Sequence, residues 1–226
     1  MIEFLDSIDK QLLLYLNSFH SPFFDNVMWY VSKTSTWSLM IICLLYVMFK
    51  ENWRRAILVV LGVALTIALA DQISSGLIKG IFERLRPARS PEIGHLVHIV
   101  NNYRGGGFSF VSSHAANTMG VAMFISMLYK RRYVTYSIVF WAILVSYSRI
   151  YLGMHYPGDV LGGICVGLAC GAFVYWLYKT TENHWSNAQK MPFAEISEKN
   201  ANIMTCGIWG NLLITVGVSI FLCYVA

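Results

Sequence analysis

The chain has 226 residues, with 17 Lys and Arg against 12 Asp and Glu for a net charge of +5; 56% of its residues are hydrophobic and only 13% are charged. Soluble domains carry about twice that share of charge, so the composition excludes an ordinary water-soluble domain and, more firmly, a disordered one. Aromatic residues at 15% suit a protein with two membrane interfaces, where amphipathic rings gather.

In chain order, the segment from Met1 to Asp6 lacks the basic stretch and small-residue cleavage site of a signal peptide, so the N-terminus is expected to be retained. Residues 4–18 mix apolar and polar positions at helical spacing and predict a short amphipathic helix lying on the membrane surface. A bilayer core of about 30 Å needs about 20 helical residues, and six stretches are read as spans. Phe23 to Phe49 is broken by Ser32-Lys33-Thr34-Ser35-Thr36 and reads as one untidy span or as a re-entrant piece plus a helix. The others are Ala56 to Phe82, Ala115 to Tyr129, Val134 to Tyr151, Pro157 to Tyr178 with proline in the first helical turn, and Asn202 to Ala226. The expectation is an all-α polytopic membrane bundle of about six transmembrane helices in one domain, 1–226. Its motif-bearing core is 56–178, and 202–226 is an extra C-terminal helix.

Five cysteines (Cys43, Cys165, Cys170, Cys206 and Cys223) fall in apolar runs without metal-site spacing and behave as small hydrophobes. Gly163, Gly167 and Gly171 recur every four residues, a stripe that permits close helix packing. Lys50, Arg54 and Arg55, then Lys130, Arg131 and Arg132, then Lys179, Lys190 and Lys199 lie in alternate connections, which the positive-inside rule assigns to the cytoplasm. The loops 83–113 and 149–156 then face outward, yet Arg84, Arg86, Arg89 and Arg104 sit there against the rule. An anionic ligand supplies the reason.

Three polar patches close on that outward end: Lys79 through Arg86-Pro87, then Val111-Ser112-Ser113-His114, then Ser148-Arg149, His155 and Asp159. Lys79, Arg86 and Arg149 present one point charge and two planar forks, suited to a phosphoryl group. Ser112 adds a hydroxyl, and N–H groups near Ser113 add donors where a helix begins. Asp159, one turn after His155, can accept from Nδ1–H and leave Nε2 free to attack. His114 can protonate the departing oxygen. Two histidines with separate roles and a triple-cation cradle describe phosphoryl transfer through a phosphohistidine, with no metal required because fixed cations neutralise the developing charge.

The pattern K-x6-RP, then PSGH, then SR-x5-H-x3-D resembles that of the type 2 phosphatidic acid phosphatase superfamily, at Lys79, Arg86-Pro87, Ser112, His114, Ser148-Arg149, His155 and Asp159. Val111 and Ser113 depart from it, standing where the family has Pro and Gly. The resemblance implies metal-independent hydrolysis of a lipid phosphate, with His155 as nucleophile, Asp159 as its partner and His114 as acid. It implies Lys79, Arg86, Ser112, Ser113 and Arg149 as phosphate ligands. No cofactor and no nucleic-acid partner are expected, and the oligomeric state is left open. An outward-facing site in a bacterial cytoplasmic membrane favours undecaprenyl diphosphate or a lipid A phosphate, with phosphatidylglycerophosphate or phosphatidic acid as alternatives. An anionic-lipid transporter is the rival class.

The remaining polar residues carry plainer expectations. His20, His95, His98 and His184 are read as interfacial anchors, as are Trp29, Trp37, Trp53, Trp141, Trp176 and Trp185; Arg84, Arg89 and Arg104 as headgroup contacts; and Gly105-Gly106-Gly107 as a flexible outer loop. Glu83, four residues after Lys79, is read either as orienting it or as an ordinary i,i+4 partner. Asp71, eight residues or about 12 Å of helix before Lys79, is expected to make a structural polar contact inside the bundle.

Overall fold

The computed structural model describes residues 2–189 and 196–225, and those residues form helices and connecting turns without a strand. The helices are α1 (Ile2–Asn17), α2 (Pro22–Val31), α3 (Ser38–Glu51), α4 (Trp53–Asp71), a π-helical stretch Gln72–Ile78, α5 (Lys79–Phe82), α6 (Ser113–Tyr129), α7 (Arg132–Tyr151), α8 (Pro157–Gln189) and α9 (Glu198–Val225). Lys190 and Ala226, and the side chain of Trp185, lie outside the described residues.

Among the described residues, four helical stretches are long and apolar enough to cross a bilayer: Trp53–Arg89, Arg132–Tyr151, Pro157–His184 and Glu198–Val225. A fifth arises if α2 and the helical run from Thr34, bent by 73° at their junction, count as one span. The expected six is therefore approximate. Its remaining member, α6, has 17 residues and none is exposed, because α4, α7 and α8 surround it. A helix sheltered by protein on every side is not held to the length that lipid imposes.

The break between α2 and α3 is chemically satisfied. Asn211 of α9 accepts from Met40 N–H at 2.6 Å and donates to Thr36 carbonyl at 2.7 Å, while Trp37 Nε1 donates to Val31 carbonyl at 2.9 Å. Non-helical backbone at membrane depth is tolerated only where protein supplies such partners. Trp37 and Trp141 are buried against each other, ring centroids 5.9 Å apart, so these two are core residues and not interfacial anchors.

The glycine stripe packs as expected. A Cβ added at Gly163, Gly167 or Gly171 would lie 2.4, 2.3 and 2.4 Å from the carbonyl oxygens of Ser112, Ala116 and Gly120, so α8 rides directly on the α6 backbone. At the basic end of the bundle, Arg55 at the start of α4 pairs with Glu182 of α8, and Arg131 reaches Ile196 carbonyl. All three motif patches gather at the other end.

Helix α1 turns its faces in the order a bilayer demands. Phe4, Leu5, Ile8, Leu12 and Tyr15 are exposed, whereas Asp6, Asp9, Leu13 and Asn17, spaced three or four residues apart, point into the protein. Asn17 donates to Tyr151 carbonyl at 2.6 Å, and beside it His98 Nε2 lies 2.9 Å from the Asp25 carboxylate, its ring stacked on His20. His20 and His98 thus pin the α1–α2 corner to the 88–110 loop instead of anchoring singly.

Candidate active site

The site is assembled at helix ends. Lys79 stands where the π-helical stretch passes into α5, and Arg86 follows the left-handed turn at Glu83. Ser112 is the N-cap of α6, Arg149 lies in the last turn of α7, and His155 and Asp159 bracket the start of α8. Ser112 N–H donates to Asp159 carbonyl at 2.9 Å, which ties the second patch to the third. Between Arg149 and His155 the chain doubles back at Gly153, where φ is +67° and a Cβ would lie 2.4 Å from Val97 Cγ1. Both facts require glycine there. The N–H groups of Met154 and His155 return to Arg149 carbonyl at 3.0 and 3.2 Å.

His155 is 1% exposed and Asp159 fully buried. Arg86 Nη1 lies 3.2 Å from His155 Nε2; since guanidinium is only a donor, Nε2 accepts and the ring proton belongs on Nδ1. That nitrogen faces Asp159 Oδ2 at 3.6 Å, beyond hydrogen-bond length but within range of the charge, and has no hydrogen-bond partner among the described residues. Burial pushes the imidazole down to about 4, assisted by the charges of Arg86 and Arg149 and opposed by Asp159. The ring is therefore neutral at pH 7, with its lone pair on Nε2. If Nε2 is the attacking atom, His155 gives kcat/KM no acid limb between neutral pH and about pH 5 once the substrate's own ionisation near pH 6 is divided out. A residual limb near pH 6.5 would contradict this assignment.

The cations approach from three elements. Lys79 Nζ donates to Ser113 Oγ at 2.8 Å, Ser113 Oγ meets Ser75 Oγ at 2.7 Å, and Ser75 lies 3.3 Å from Asp71 Oδ1. The serine at 113 thus contributes a hydroxyl that orients Lys79, and Asp71 joins the site through it. Glu83 is exposed and its N–H donates to Lys79 carbonyl at 3.0 Å, but among the described residues its carboxylate forms no ion pair with the Lys79 ammonium, which is directed toward Ser113. Arg86 Nε and Arg89 Nη2 donate to the carbonyls of Gly106 and Gly105, so the glycine loop is held by the arginines beside it. Arg104 is likewise engaged, with Ala88 carbonyl. Buried Arg149 donates to Ser32 Oγ, and its Nε has no partner among the described residues. Ser112 caps α6 and its N–H is taken by Asp159, which confines its share in any cradle to the hydroxyl.

His114, in the first turn of α6, lies within electrostatic reach of His155, Arg149, Lys79 and Arg86. It also lines an apolar cavity of about 420 Å³ that runs between α2, α3, α4, α6 and α7, walled by Trp37, Met40, Leu44, Val63 and Val145. Ser32, Asn117 and Thr118 form polar parts of the same wall. The arrangement sets Lys79, Arg86 and Arg149 within electrostatic reach of one another and of His114, which lines the apolar chamber.

Arg84 departs furthest from expectation. Its Nη1 donates to Asp159 Oδ1 and to Asp9 Oδ2, each at 2.8 Å, and its Nη2 to Asp6 Oδ1 at 2.8 Å. A headgroup contact was expected; a carboxylate clamp is found, because α1 brings its two aspartates over the start of α8. Asp6, Asp9 and Ser32 escaped the sequence reading as site residues. The 6/9 spacing on one face of α1 was the visible signal for the first pair. Ser32 had none.

A family model described as the PAP2 superfamily matches residues 56–182. The chain is 39% identical over 224 residues to a lipid A 4′-phosphatase of Bacteroides thetaiotaomicron, covering 98% of both chains. It is 35% identical over 188 residues to a lipid A 4′-phosphatase of Porphyromonas gingivalis, covering 83% of this chain and 80% of that one. Among solved structures, LpxE of Aquifex aeolicus superposes with a TM-score of 0.57 at 23% identity, covering 73% of this chain and 92% of that one. This last likeness concerns the fold.

Proposed function

Since the chain belongs to the PAP2 superfamily and is an integral-membrane lipid phosphatase, we propose that its substrate is the 4′-phosphate of lipid A, hydrolysed on the outward face of a bacterial inner membrane. The observation that carries a lipid substrate is the apolar cavity of about 420 Å³ sharing His114 and the Arg149-bound Ser32 with the cationic end. That volume lies in the range of pockets that hold a ligand of several hundred daltons, and so accommodates part of an acyl chain while the phosphate stays among cations. The choice of lipid A over undecaprenyl diphosphate rests on the two relatives whose alignments span most of both chains. The outward orientation rests on the basic connections at the opposite end.

In this reading Lys79, Arg86 and Arg149 neutralise the phosphate oxygens, with Ser112, Ser113 and the free N–H groups of the α6 first turn as donors. His155 Nε2 attacks phosphorus as the P–O bond to the sugar breaks, and His114 gives its proton to the departing oxygen. Asp159 steadies the cationic ring. Water then attacks the phosphohistidine, His114 takes its proton, and the P–N bond breaks to release inorganic phosphate.

A panel of purified lipid phosphates in detergent tests the substrate. Hydrolysis of the 4′-phosphate of lipid A is expected to exceed that of undecaprenyl diphosphate and phosphatidylglycerophosphate, unchanged by chelator. Preference for the diphosphate would overturn the substrate assignment, and loss of activity with chelator would overturn the reliance on fixed cations.

A further inference from the structure

We propose that Arg84, gripped by Asp6 and Asp9 of α1, is the positioning residue for the Asp159 carboxylate, which makes the surface helix a working part of the site. The proposal rests on the roles given above to His155 and Asp159. Arg84 lies within the first patch at a position that its motif leaves unspecified, and Asp6 and Asp9 lie outside all three.

Asp159 is fully buried, and each of its oxygens has an assignment. Oδ2 accepts from Tyr156 N–H at 2.9 Å and is the oxygen 3.6 Å from His155 Nδ1. Oδ1 accepts from Arg84 Nη1. A carboxylate held at both oxygens has no rotation left, so the oxygen facing His155 is chosen by the fork on the other side. Arg84 is itself fixed from three directions. Tyr156 lies under its guanidinium with the ring centroid at 3.9 Å, Asp6 takes Nη2, and Asp9 shares Nη1. Asp9 also accepts from Gly158 N–H at 2.7 Å through its second oxygen, so one α1 side chain holds both the arginine and the first turn of α8. Lys10 completes the seat by bridging Asp6 and Glu92, each at 2.6 Å.

Arg86, Arg149 and Lys79 crowd the His155 side, with His114 across from it on α6. Arg84 is turned from them onto carboxylates. Without it, Asp159 keeps a buried charge beside two other aspartates, which drives it to bind a proton or swing away from His155.

The test uses the full-length protein in detergent, with kcat, KM, the acid limb of kcat/KM and thermal stability measured together. Arg84→Gln is expected to lower kcat by about 10- to 100-fold, the usual cost of losing an outer partner that orients a reacting group, with KM near the parent value. Its acid limb moves to lower pH, since an Asp159 that has bound a proton or swung away no longer favours the imidazolium. Arg84→Lys restores the limb and part of kcat, because it keeps the charge and loses the fork. Asp9→Asn moves the limb to lower pH with a smaller loss of kcat. A purely structural clamp would lower stability while folded protein kept parent kcat and limb; that result overturns the proposal. Should Arg84→Gln fail to fold, the Asp9→Asn limb shift and the Arg84→Lys loss of kcat decide it. Activity retained by His155→Gln would bring down the reading underneath, whereas inactive His155→Gln with parent-like Arg84 and Asp9 variants brings down this proposal alone.

Discussion

His155→Gln is expected to abolish phosphate release, lowering kcat by about 10⁴-fold or more, the scale seen when a covalent nucleophile is removed. Glutamine keeps the volume and offers Arg86 an acceptor oxygen, so the surrounding packing survives while the attacking lone pair on Nε2 does not. His114→Gln is the instructive contrast. It removes only proton transfer, worth about 10²- to 10⁴-fold, and leaves the attack on phosphorus in place. Stopped assays with a lipid phosphate separate the two. The account requires the His155 variant to be the more severely impaired, and an active His155→Gln with an inactive His114→Gln would reverse the assignments.

The second large effect is expected from a residue that touches no substrate. At Gly167 a Cβ would stand 2.3 Å from Ala116 carbonyl and 2.8 Å from Gly120 N, both backbone atoms that no rotamer change relieves. Gly167→Leu must push α8 off α6, and with it the Asp159 carbonyl off Ser112 N–H. Over-packing alone costs about 1–3 kcal/mol or more, and here the displacement opens the site. Expected are a marked fall in thermal stability and loss of activity in the protein that remains folded. Gly217→Leu on α9 is the control, because a Cβ there meets nothing within 4 Å. A Gly167→Leu protein with parent activity would show that the α6–α8 contact does not position the site.

Much of this was legible in the chain. Helix positions followed from apolar length, and the close approach of α8 from three glycines at four-residue spacing. The residues of the three patches were legible because each sits at a helix end that topology returns to one side. What stayed hidden depends on which way side chains turn between distant segments. Nothing in α1 reveals that Asp9 reaches Gly158, 149 residues away. Arg84 looked like one more cation near headgroups, and only the placement of two aspartates over α8 makes it a carboxylate clamp. Trp37 and Trp141 looked interfacial by type, but the bend after α2 brings Trp37 inward against Trp141 of α7. Ser113 looked like a tolerated departure from glycine, whereas its hydroxyl holds Lys79.

Quenching the enzyme during turnover with ³²P-labelled lipid phosphate and mapping the retained label tests the account most directly. An acid-labile, alkali-stable phosphoryl group on the peptide carrying His155, absent from His155→Gln and formed before free phosphate, is the predicted result. Label on another side chain, or steady turnover with no phosphoenzyme at any time, would mean that the imidazole at 155 does not attack phosphorus.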